Sequence, residues 1–176
     1  SEERIRDELS KILVDPQRVR GFDLLMESGL MEAIIPEILD LKGCEQPPQF
    51  HPEGDVFVHT RLMLTLLRED PSLPLVLSVL LHDIGKPATF SYDEEADRIR
   101  FNGHDKIGAH MAADILKRLK FPNKVIEEVT EMVANHMTFK DVQKMREAKL
   151  KRFMARPTFK DETELHRVDC LGSWGG

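Results

Sequence analysis

The stretch that decides the fold is LLHDIGKP, residues 80–87. It closes the most apolar segment of the chain, LPLVLSVLL (73–81), and places His82 and Asp83 side by side directly after it. An apolar run bounded in this way predicts a buried helix. Two polar side chains at its end are either capping groups that hydrogen-bond inside the core or metal ligands that the helix holds in place.

The residues that follow the pair favour the second interpretation. Neighbours in a continuing α-helix point about 100° apart, so His82 and Asp83 can share a direction only where the helix ends. Gly85 and Pro87 predict that the chain turns away at this point. Lys86 then stands close to both side chains, where its ammonium group can meet a phosphate as a point charge.

The rest of the chain is helical by its pattern of apolar residues, and the predicted fold class is all-α. Residues 43–55, GCEQPPQFHPEGD, are rich in turn formers and predict a loop. We take this loop as the boundary between an N-terminal helical segment (1–45) and the main domain (46–176). Residues 90–103 alternate weakly and are either a loop or a small hairpin. In the main domain, helices are predicted at about 55–68, 73–83, 104–120, 123–137, 140–155 and 161–172.

The composition is typical of a soluble globular protein, with 41% hydrophobic and 32% charged residues. No apolar run approaches the roughly 18 residues that a membrane span needs, and the first residues contain no apolar signal region. The two cysteines, Cys44 and Cys170, are too few for a disulfide framework or a cysteine-based zinc site. We therefore expect reduced thiols and a cytoplasmic location.

The net charge of −6 is unevenly distributed. Residues 140–160 carry eight lysines and arginines against only Asp141 and Glu147. This segment is either a solvated helix face or a local surface that attracts phosphate. On the second interpretation, the candidate RNA-binding residues are Lys144, Lys149, Lys151 and Arg152.

Four of the seven histidines stand on or at the ends of predicted helices, beside apolar residues. One such histidine is usually a core or capping residue, but four of them with Asp83 and Asp169 predict a metal centre. Imidazole and carboxylate groups suit manganese, iron, nickel, zinc or magnesium. A divalent ion with open positions can polarise a phosphoryl oxygen and acidify a water molecule. The four histidines are His59, His82, His104 and His136.

The order His59, His82-Asp83, Asp169 resembles the signature of the HD superfamily of metal-dependent phosphohydrolases. The blocks FNGHDKIGAH and ANHM resemble the extra histidine elements of members that hold two metals. More narrowly, ERIRDELSKIL, GLMEAIIPEI, DVFVHTRLML, LLHDIGKP, FNGHDKIGAHMAADILKRLKFP and LHRVDCLGS together resemble the HD-containing C-terminal part of bacterial tRNA nucleotidyltransferase/poly(A) polymerase proteins. The resemblance covers nearly the whole chain and implies an HD-domain helical bundle with a short N-terminal, neck-like extension.

The same resemblance implies the ligands. Asp83 would bridge two ions, and it would also orient the attacking water. Lys86, and Arg167 with it, would contact the substrate phosphate. The first ion would be held by His59, His82, Asp83 and Asp169. The second ion would be held by His104 and His136 together with Asp83.

The remaining histidines are not expected to be ligands. His110 lies six residues after His104, which places it nearly opposite on the same helix (6 × 100° = 600°, or 240°), so we predict a packing or supporting role. His51, in the PQFHPEG loop, and His166 are also expected to lie outside the ligand set.

The Gly-Gly strand-turn signature and the paired-aspartate motif of the nucleotidyltransferase head are not found in this sequence. We therefore expect no nucleotide addition by these residues, and we interpret the chain as an excised fragment or a stand-alone relative. The predicted function is that of a metal-dependent phosphohydrolase acting on phosphomonoesters or phosphodiesters of nucleotides or RNA ends. Two alternatives stay open: an RNA-binding or structural module without turnover, and a sensor that binds a nucleotide without hydrolysing it.

Overall fold

The fold is organised around one buried helix, α5 (Leu73–Leu81), which is the apolar segment of the opening motif. In the computed structural model, which describes residues 1–173, every α5 residue from Leu75 to Leu81 is buried. The helix begins where the hydroxyl of Ser72 accepts a hydrogen bond from the Leu75 amide at 3.2 Å, and Pro74 occupies the first turn, where no amide donor is required. The helix predicted from this apolar run is therefore confirmed.

The all-α prediction is confirmed, because helices dominate the described residues. Two 3-10 helices, Pro36–Leu41 and Thr138–Lys144, connect some of the α-helices. Besides α5, the α-helices are α1 (Glu2–Val14), α2 (Arg18–Glu27), α3 (Leu30–Ile34), α4 (Val56–Leu66), α6 (Lys86–Thr89), α7 (His104–Arg118), α8 (Asn123–Asn135), α9 (Glu147–Met154) and α10 (Phe159–Leu171).

Residues 90–103 form a small hairpin, the second of the two structures that their alternation allowed. Strand β1 (Phe90–Asp93) pairs antiparallel with β2 (Arg98–Phe101), and Phe90 stands opposite Phe101. The hairpin leads directly into α7. It therefore places the end of β2 beside the first residue of that helix.

The helix predicted over residues 140–155 is wrong as a single element. The chain forms the 3-10 helix ending at Lys144, an extended turn at Met145, and then α9. The rings of Phe139 and Phe153 lie 6.0 Å apart, whereas fourteen residues of continuous helix would separate them by roughly 21 Å. Packing of these two aromatic rings therefore requires the chain to turn back.

The N-terminal helices share one hydrophobic core with the rest of the domain. Leu13 of α1 and Phe22 of α2 belong to the same buried cluster as the residues of α5. An ion pair also joins α2 to α4, since the guanidinium of Arg61 donates to both oxygens of Asp23 at 2.8 and 2.6 Å. Within the described residues, no helix is both long enough and apolar enough to cross a membrane.

Candidate metal centre

Six side chains that the sequence predicted as ligands converge on one point of the bundle, from five separate places along the chain. Five of the six residues are fully or almost fully buried, and Asp169 is 8% exposed. They are His59 on α4, His82 and Asp83 after α5, His104 at the start of α7, His136 after α8, and Asp169 on α10.

The end of α5 directs His82 and Asp83 to the same side. The chain leaves the helix through a tight turn, in which the Ile84 amide donates to the Leu81 carbonyl at 3.1 Å and the Lys86 amide donates to the Asp83 carbonyl at 3.0 Å. The His82 Nε2 atom lies 3.1 Å from Asp83 Oδ2. The geometric expectation for adjacent ligands at a helix end is therefore met.

The first group of side chains, which we call the Asp169 cluster, consists of His59, His82 and Asp169. The Nε2 atom of His59 lies 2.8 Å from Asp169 Oδ1, and the Nε2 atom of His82 lies 3.9 Å from the same oxygen. One ligand atom from each of the three residues lies within 4.8 Å of the others, a spacing that a single ion can span.

The second group, the Asp83 cluster, consists of Asp83, His104 and His136. The Nε2 atoms of His104 and His136 lie 3.3 and 3.5 Å from Asp83 Oδ1. Since His82 approaches the other oxygen of the same carboxylate, Asp83 has one oxygen facing each cluster.

Backbone carbonyls determine which nitrogen of each histidine carries the proton. A carbonyl oxygen only accepts, so the Nδ1 atom that contacts it must be the donor, and the Nε2 atom of a neutral ring then presents a lone pair. All four histidines are held in this way, as metal-ligating histidines commonly are. The pairs are His59 with Gly172 at 3.1 Å, His82 with Val79 at 2.7 Å, His104 with Phe101 at 3.0 Å, and His136 with Val133 at 2.6 Å.

In the neutral rings these lone pairs face carboxylate oxygens or one another, and that arrangement calls for a cation, which is either a proton on Nε2 or a bound metal. The Nε2 atoms of His104 and His136 are 3.2 Å apart. The Nε2 atom of His82 is buried and makes no hydrogen bond among the described residues. Buried nitrogen lone pairs and carboxylate oxygens at such separations are stabilised by protons or by a bound metal. The donor set therefore fits one or two divalent ions.

The electrostatics of Asp83 keep this carboxylate ionised. Burial, the largest influence, raises the pKa of Asp83, but the nearby His82 and Lys86 charges oppose it, as do hydrogen bonds from His104 and His136. Together they hold the pKa of Asp83 well below its usual range. The carboxylate is therefore available as a metal ligand near neutral pH.

Asp169 and His59 form an ion pair within the same site. Burial raises the pKa of Asp169, but the hydrogen bond from His59 and the charges of His82 and Lys140 lower it well below its usual range. For His59, burial lowers the pKa, yet the hydrogen bond and the negative charge of Asp169 outweigh burial and raise it. In the absence of metal, the proton on His59 therefore compensates the charge of Asp169.

Lys86 stands at the edge of the Asp83 cluster and is almost buried, with 7% of the residue exposed. Its ammonium group donates to Gln46 Oε1 at 2.6 Å, lies 3.2 Å from Asp83 Oδ2, and lies 5.0 Å from the centre of the Phe101 ring. These contacts hold the charge in place. The residue also lines the cavity that gives access to the cluster.

Arg167 does not join these residues. Its guanidinium donates to Glu164 at 2.6 and 2.8 Å and to the Leu66 carbonyl at 2.9 Å, and it lines a different concavity on the surface of α10. Because Arg167 is directed away from the clusters, the phosphate role predicted for it has no support in the geometry.

The predicted RNA-binding residues are exposed and also lie outside the cavity wall: Lys144, Lys149, Lys151 and Arg152.

The sequence prediction missed three neighbours of the clusters. His51 lines the cavity, and its Nδ1 atom lies 2.8 Å from Glu53 Oε1. Burial, followed by the charge of Lys86, lowers the pKa of His51 to about 4. Lys140 approaches Asp169 Oδ2 at 3.9 Å from the second 3-10 helix. The pair of His51 and Glu53 had one signal in the sequence, the HPEGD turn, in which a histidine stands two residues before a glutamate.

The other two histidines lie outside both clusters. His110 is exposed on α7, so the packing role predicted for it is wrong. The α7 helix directs this side chain outward, as the angle from His104 predicted. His166 stacks on Phe139, with ring centres 4.7 Å apart, and it contributes to an aromatic group under α10.

A cavity of about 450 Å³ opens onto the two clusters. Its volume is within the usual range for small-molecule sites. Asp83, His104, His136 and Asp169 line it at the base, together with Lys86. A ligand can therefore reach both carboxylates from solvent through one opening.

Comparison with known families identifies two matching regions. Residues 56–168 match the model described as HD domain. Residues 1–41 match the model described as the probable RNA- and SrmB-binding site of polymerase A.

Curated relatives match the chain over about three quarters of its length. An A-adding tRNA nucleotidyltransferase of Deinococcus radiodurans is 38% identical over 138 residues, which is 77% of this chain and 31% of the relative. A CC-adding tRNA nucleotidyltransferase of Thermus thermophilus is 36% identical over 77% of this chain and 31% of the relative. A multifunctional CCA protein of Cupriavidus metallidurans is 33% identical over 76% and 32%, respectively. The matched region thus spans about a third of the length of these relatives.

Proposed function

From the premise that this chain belongs to the HD-domain family, we propose that it is a divalent-metal-dependent phosphohydrolase. The observation that carries the proposal is the pairing of two ligand clusters around one carboxylate. Each cluster combines imidazole Nε2 atoms with a carboxylate oxygen, the donor set suited to manganese, nickel, magnesium, iron or zinc. A cavity leads from solvent to both clusters.

The ligands of two ions follow from this arrangement. Because its two oxygens face different clusters, Asp83 is suited to bridge them. A divalent ion bound here would polarise a phosphoryl oxygen and lower the pKa of a water molecule. The residues that would hold the first ion are His59, His82, Asp83 and Asp169. Those that would hold the second are Asp83, His104 and His136.

The side chains around the ions have separate tasks. Asp83, which is buried and ionised, would accept a hydrogen bond from the attacking water and so orient it toward phosphorus. Lys86 offsets the negative charge that develops on the phosphoryl oxygens. Its hydrogen bond to Gln46 keeps the ammonium group in place without neutralising its charge.

We propose nucleotides or RNA ends as the substrate class. The support is the match of residues 1–41 to an RNA-binding model and the similarity to proteins named for tRNA nucleotidyl transfer. An RNA partner and a cytoplasmic location are parts of the same proposal, because an enzyme that acts on tRNA ends meets its substrate in that compartment.

The test is turnover by protein that has been stripped of metal and then reloaded. With Mn²⁺, Ni²⁺ or Mg²⁺, we expect at least one of three reactions: ring opening of 2′,3′-cyclic AMP to adenosine monophosphate, release of phosphate from 3′-AMP, or release of p-nitrophenol from bis-p-nitrophenyl phosphate. Asp83→Asn should abolish turnover and metal retention. Asp93→Asn, which changes a half-buried aspartate of the hairpin that pairs with Arg100, should leave both unchanged. Absence of turnover with every metal, or full activity of Asp83→Asn, would overturn the proposal.

The alternative of an RNA-binding module without turnover has less support. The predicted ligands form complete clusters that open to solvent, whereas a purely structural ion would be enclosed. The alternative of a nucleotide sensor is separated by the same experiment, since a sensor would bind the nucleotide in calorimetry and release no product.

A further inference from the structure

The outer wall of the metal-site cavity comes from two segments that contribute no metal ligand. One is the turn at residues 47–51, and the other is strand β2; Met137 and Lys140 line the cavity beside Asp169. Asp83 and Lys86 lie at the base. If the proposed function holds and a phosphate binds at the base, the rest of the substrate must contact these two outer segments.

Phe50 is the aromatic residue of the first segment. It lines the cavity, and 50% of its surface is exposed to solvent. Exposure of this ring is unfavourable, because the ring has no polar group that could hydrogen-bond to water. The turn that carries it is well defined, because the amides of Phe50 and His51 both donate to the Pro47 carbonyl, at 3.1 and 3.0 Å. An exposed aromatic ring on a fixed turn is a suitable surface for stacking a nucleobase.

Arg98 supplies an available positive charge in the second segment. It is exposed, lines the cavity, and has no carboxylate within ion-pair distance in residues 1–173. Arg100, two residues along the strand, also lines the cavity, but its charge is already paired because its Nε atom donates to Asp93 at 2.9 Å. A free guanidinium near the mouth of a cavity, on a chain with a net charge of −6, is suited to an anionic group of a ligand.

We propose that Phe50 and Arg98 form a recognition rim, in which Phe50 stacks on the base of a nucleotide and Arg98 binds a second phosphate. The substrate is then a nucleoside with two phosphates, one at the metal centre and one at the rim. Lys86 cannot serve the second phosphate, because it is nearly buried and bound to Gln46 and Asp83. The rim extends the proposed function, since it assigns the part of the substrate that does not react.

Calorimetric binding to Mn²⁺-loaded protein tests the rim directly. Adenosine 3′,5′-bisphosphate should bind about tenfold more tightly than adenosine 3′-monophosphate. Arg98→Gln should abolish this difference and leave monophosphate binding unchanged. Arg100→Gln is the matched control, with the same charge change on the same strand, and it should retain the difference. Equal affinities in the unmodified protein, or equal losses in both arginine variants, would overturn the phosphate assignment.

Phe50 is tested by separating base recognition from phosphate recognition. Phe50→Ala should weaken binding of both adenosine phosphates roughly tenfold and leave the affinity for glycerol 2-phosphate, which has no base, unchanged. Because the ring is exposed, the variant is expected to fold. An equal loss for glycerol 2-phosphate, or no loss for the nucleotides, would contradict stacking.

Two further comparisons complete the experiment. The dinucleotide ApA with a 3′-phosphate shows whether the second phosphate belongs to an RNA strand or to a free nucleotide. If the protein binds this dinucleotide at least as tightly as the bisphosphate, the ligand is the end of a strand. If it binds the dinucleotide more weakly, the ligand is a free nucleotide. Phosphate release is measured in parallel. Absence of release with intact rim-dependent binding would count against the hydrolase and not against the rim.

Discussion

Gly85 and Gly108 lie backbone against backbone, so close that a Cβ atom on Gly85 would stand 2.7 Å from the Gly108 amide nitrogen. It would also stand 2.5 Å from the His104 carbonyl oxygen. This contact docks the turn that follows Asp83 onto the first turns of α7. It therefore sets the separation between Asp83 and His104, two of the ligands of the Asp83 cluster.

Replacement of this glycine is the first prediction. Gly85→Ala should lower the free energy of unfolding by about 2 kcal/mol, since the new methyl group meets backbone atoms that cannot move independently. It should also reduce the metal content, because α7 and His104 must shift away from Asp83. Urea denaturation and elemental analysis measure the two effects.

The control for Gly85→Ala is the same substitution at Gly108, the other glycine of this contact. A Cβ atom on Gly108 would lie 3.4 Å from the Gly85 nitrogen and 3.5 Å from a methyl group of Val133, which are ordinary contacts. Gly108→Ala, within a helix where alanine is favoured, should therefore change stability by less than about 1 kcal/mol. An equal loss in both variants would refute the steric account of Gly85.

The second prediction separates the ligands from other histidines. His136→Gln should weaken metal binding by at least the roughly 10–100-fold that removal of a supporting partner costs in known metal sites, because it removes one lone pair from the Asp83 cluster. His110→Gln, on the exposed face of α7, is the matched control and should bind metal normally. Competition with a chelator dye gives both affinities. Unchanged affinity in His136→Gln would exclude it as a ligand.

The third prediction concerns pH and the pair of His59 with Asp169. Although burial lowers the pKa of His59, Asp169 raises it above its ordinary value of about 6.5. In metal-free protein, the stabilisation by this pair should be complete below pH 6.5 and lost as the pH rises through the raised pKa. Metal binds the neutral imidazole, so the metal affinity should increase over the same pH window.

Melting temperatures in the presence of chelator measure the first part of that prediction, and calorimetric metal titrations between pH 6 and 9 measure the second. His59→Gln provides the reference, since it lacks the titrating group. If the difference in melting temperature between the two proteins does not vary with pH, the ion pair does not contribute as inferred.

The fourth prediction concerns the helix that carries Asp169. Glu162 on α10 is 1% exposed, and its two oxygens accept hydrogen bonds from Arg156 at 2.8 Å and Thr158 at 2.6 Å. Glu162→Ala should destabilise the protein by about 3 kcal/mol, because it leaves the buried Thr158 hydroxyl and one side of the half-buried Arg156 guanidinium without an acceptor. Chemical denaturation measures the change.

The control for Glu162→Ala is a substitution at Glu147, which also forms an ion pair, but on the protein surface. Its oxygen lies 3.0 Å from Lys151, and both side chains are largely exposed. Since exposed pairs contribute little, Glu147→Ala should leave the denaturation midpoint unchanged. A similar loss in both variants would show that burial is not the source of the effect.

The sequence pattern predicted the parts of this site that depend on local chemistry. An apolar run followed by His82, Asp83 and Gly85 indicates a buried helix with polar groups at its end, and the structure has this arrangement. The histidines beside apolar residues, with Asp169, indicated the other ligands, and the resemblance to the HD superfamily assigned them to two ions. The structure brings all six residues together, although their roles as ligands stay a prediction.

The pattern failed where the direction of a side chain depends on distant partners. Arg167 lies only two residues before Asp169, yet its guanidinium is drawn to Glu164 and the Leu66 carbonyl on the other side of α10. The predicted helix over 140–155 was wrong for a related reason, because packing of Phe139 against Phe153 reverses the chain. Neither contact has a local signal in the sequence.

By itself, the sequence determined the helical class, the buried helix α5 and the residue types of a metal centre, because these follow from apolar periodicity and from ligand chemistry. Only the tertiary structure decided which oxygen of Asp83 faces which cluster, that Lys86 is held by Gln46, and that Phe50 shares a cavity with β2. These relationships depend on how closely separate segments pack. At the Gly85–Gly108 contact, for example, the distance depends on the absence of a side chain at Gly85.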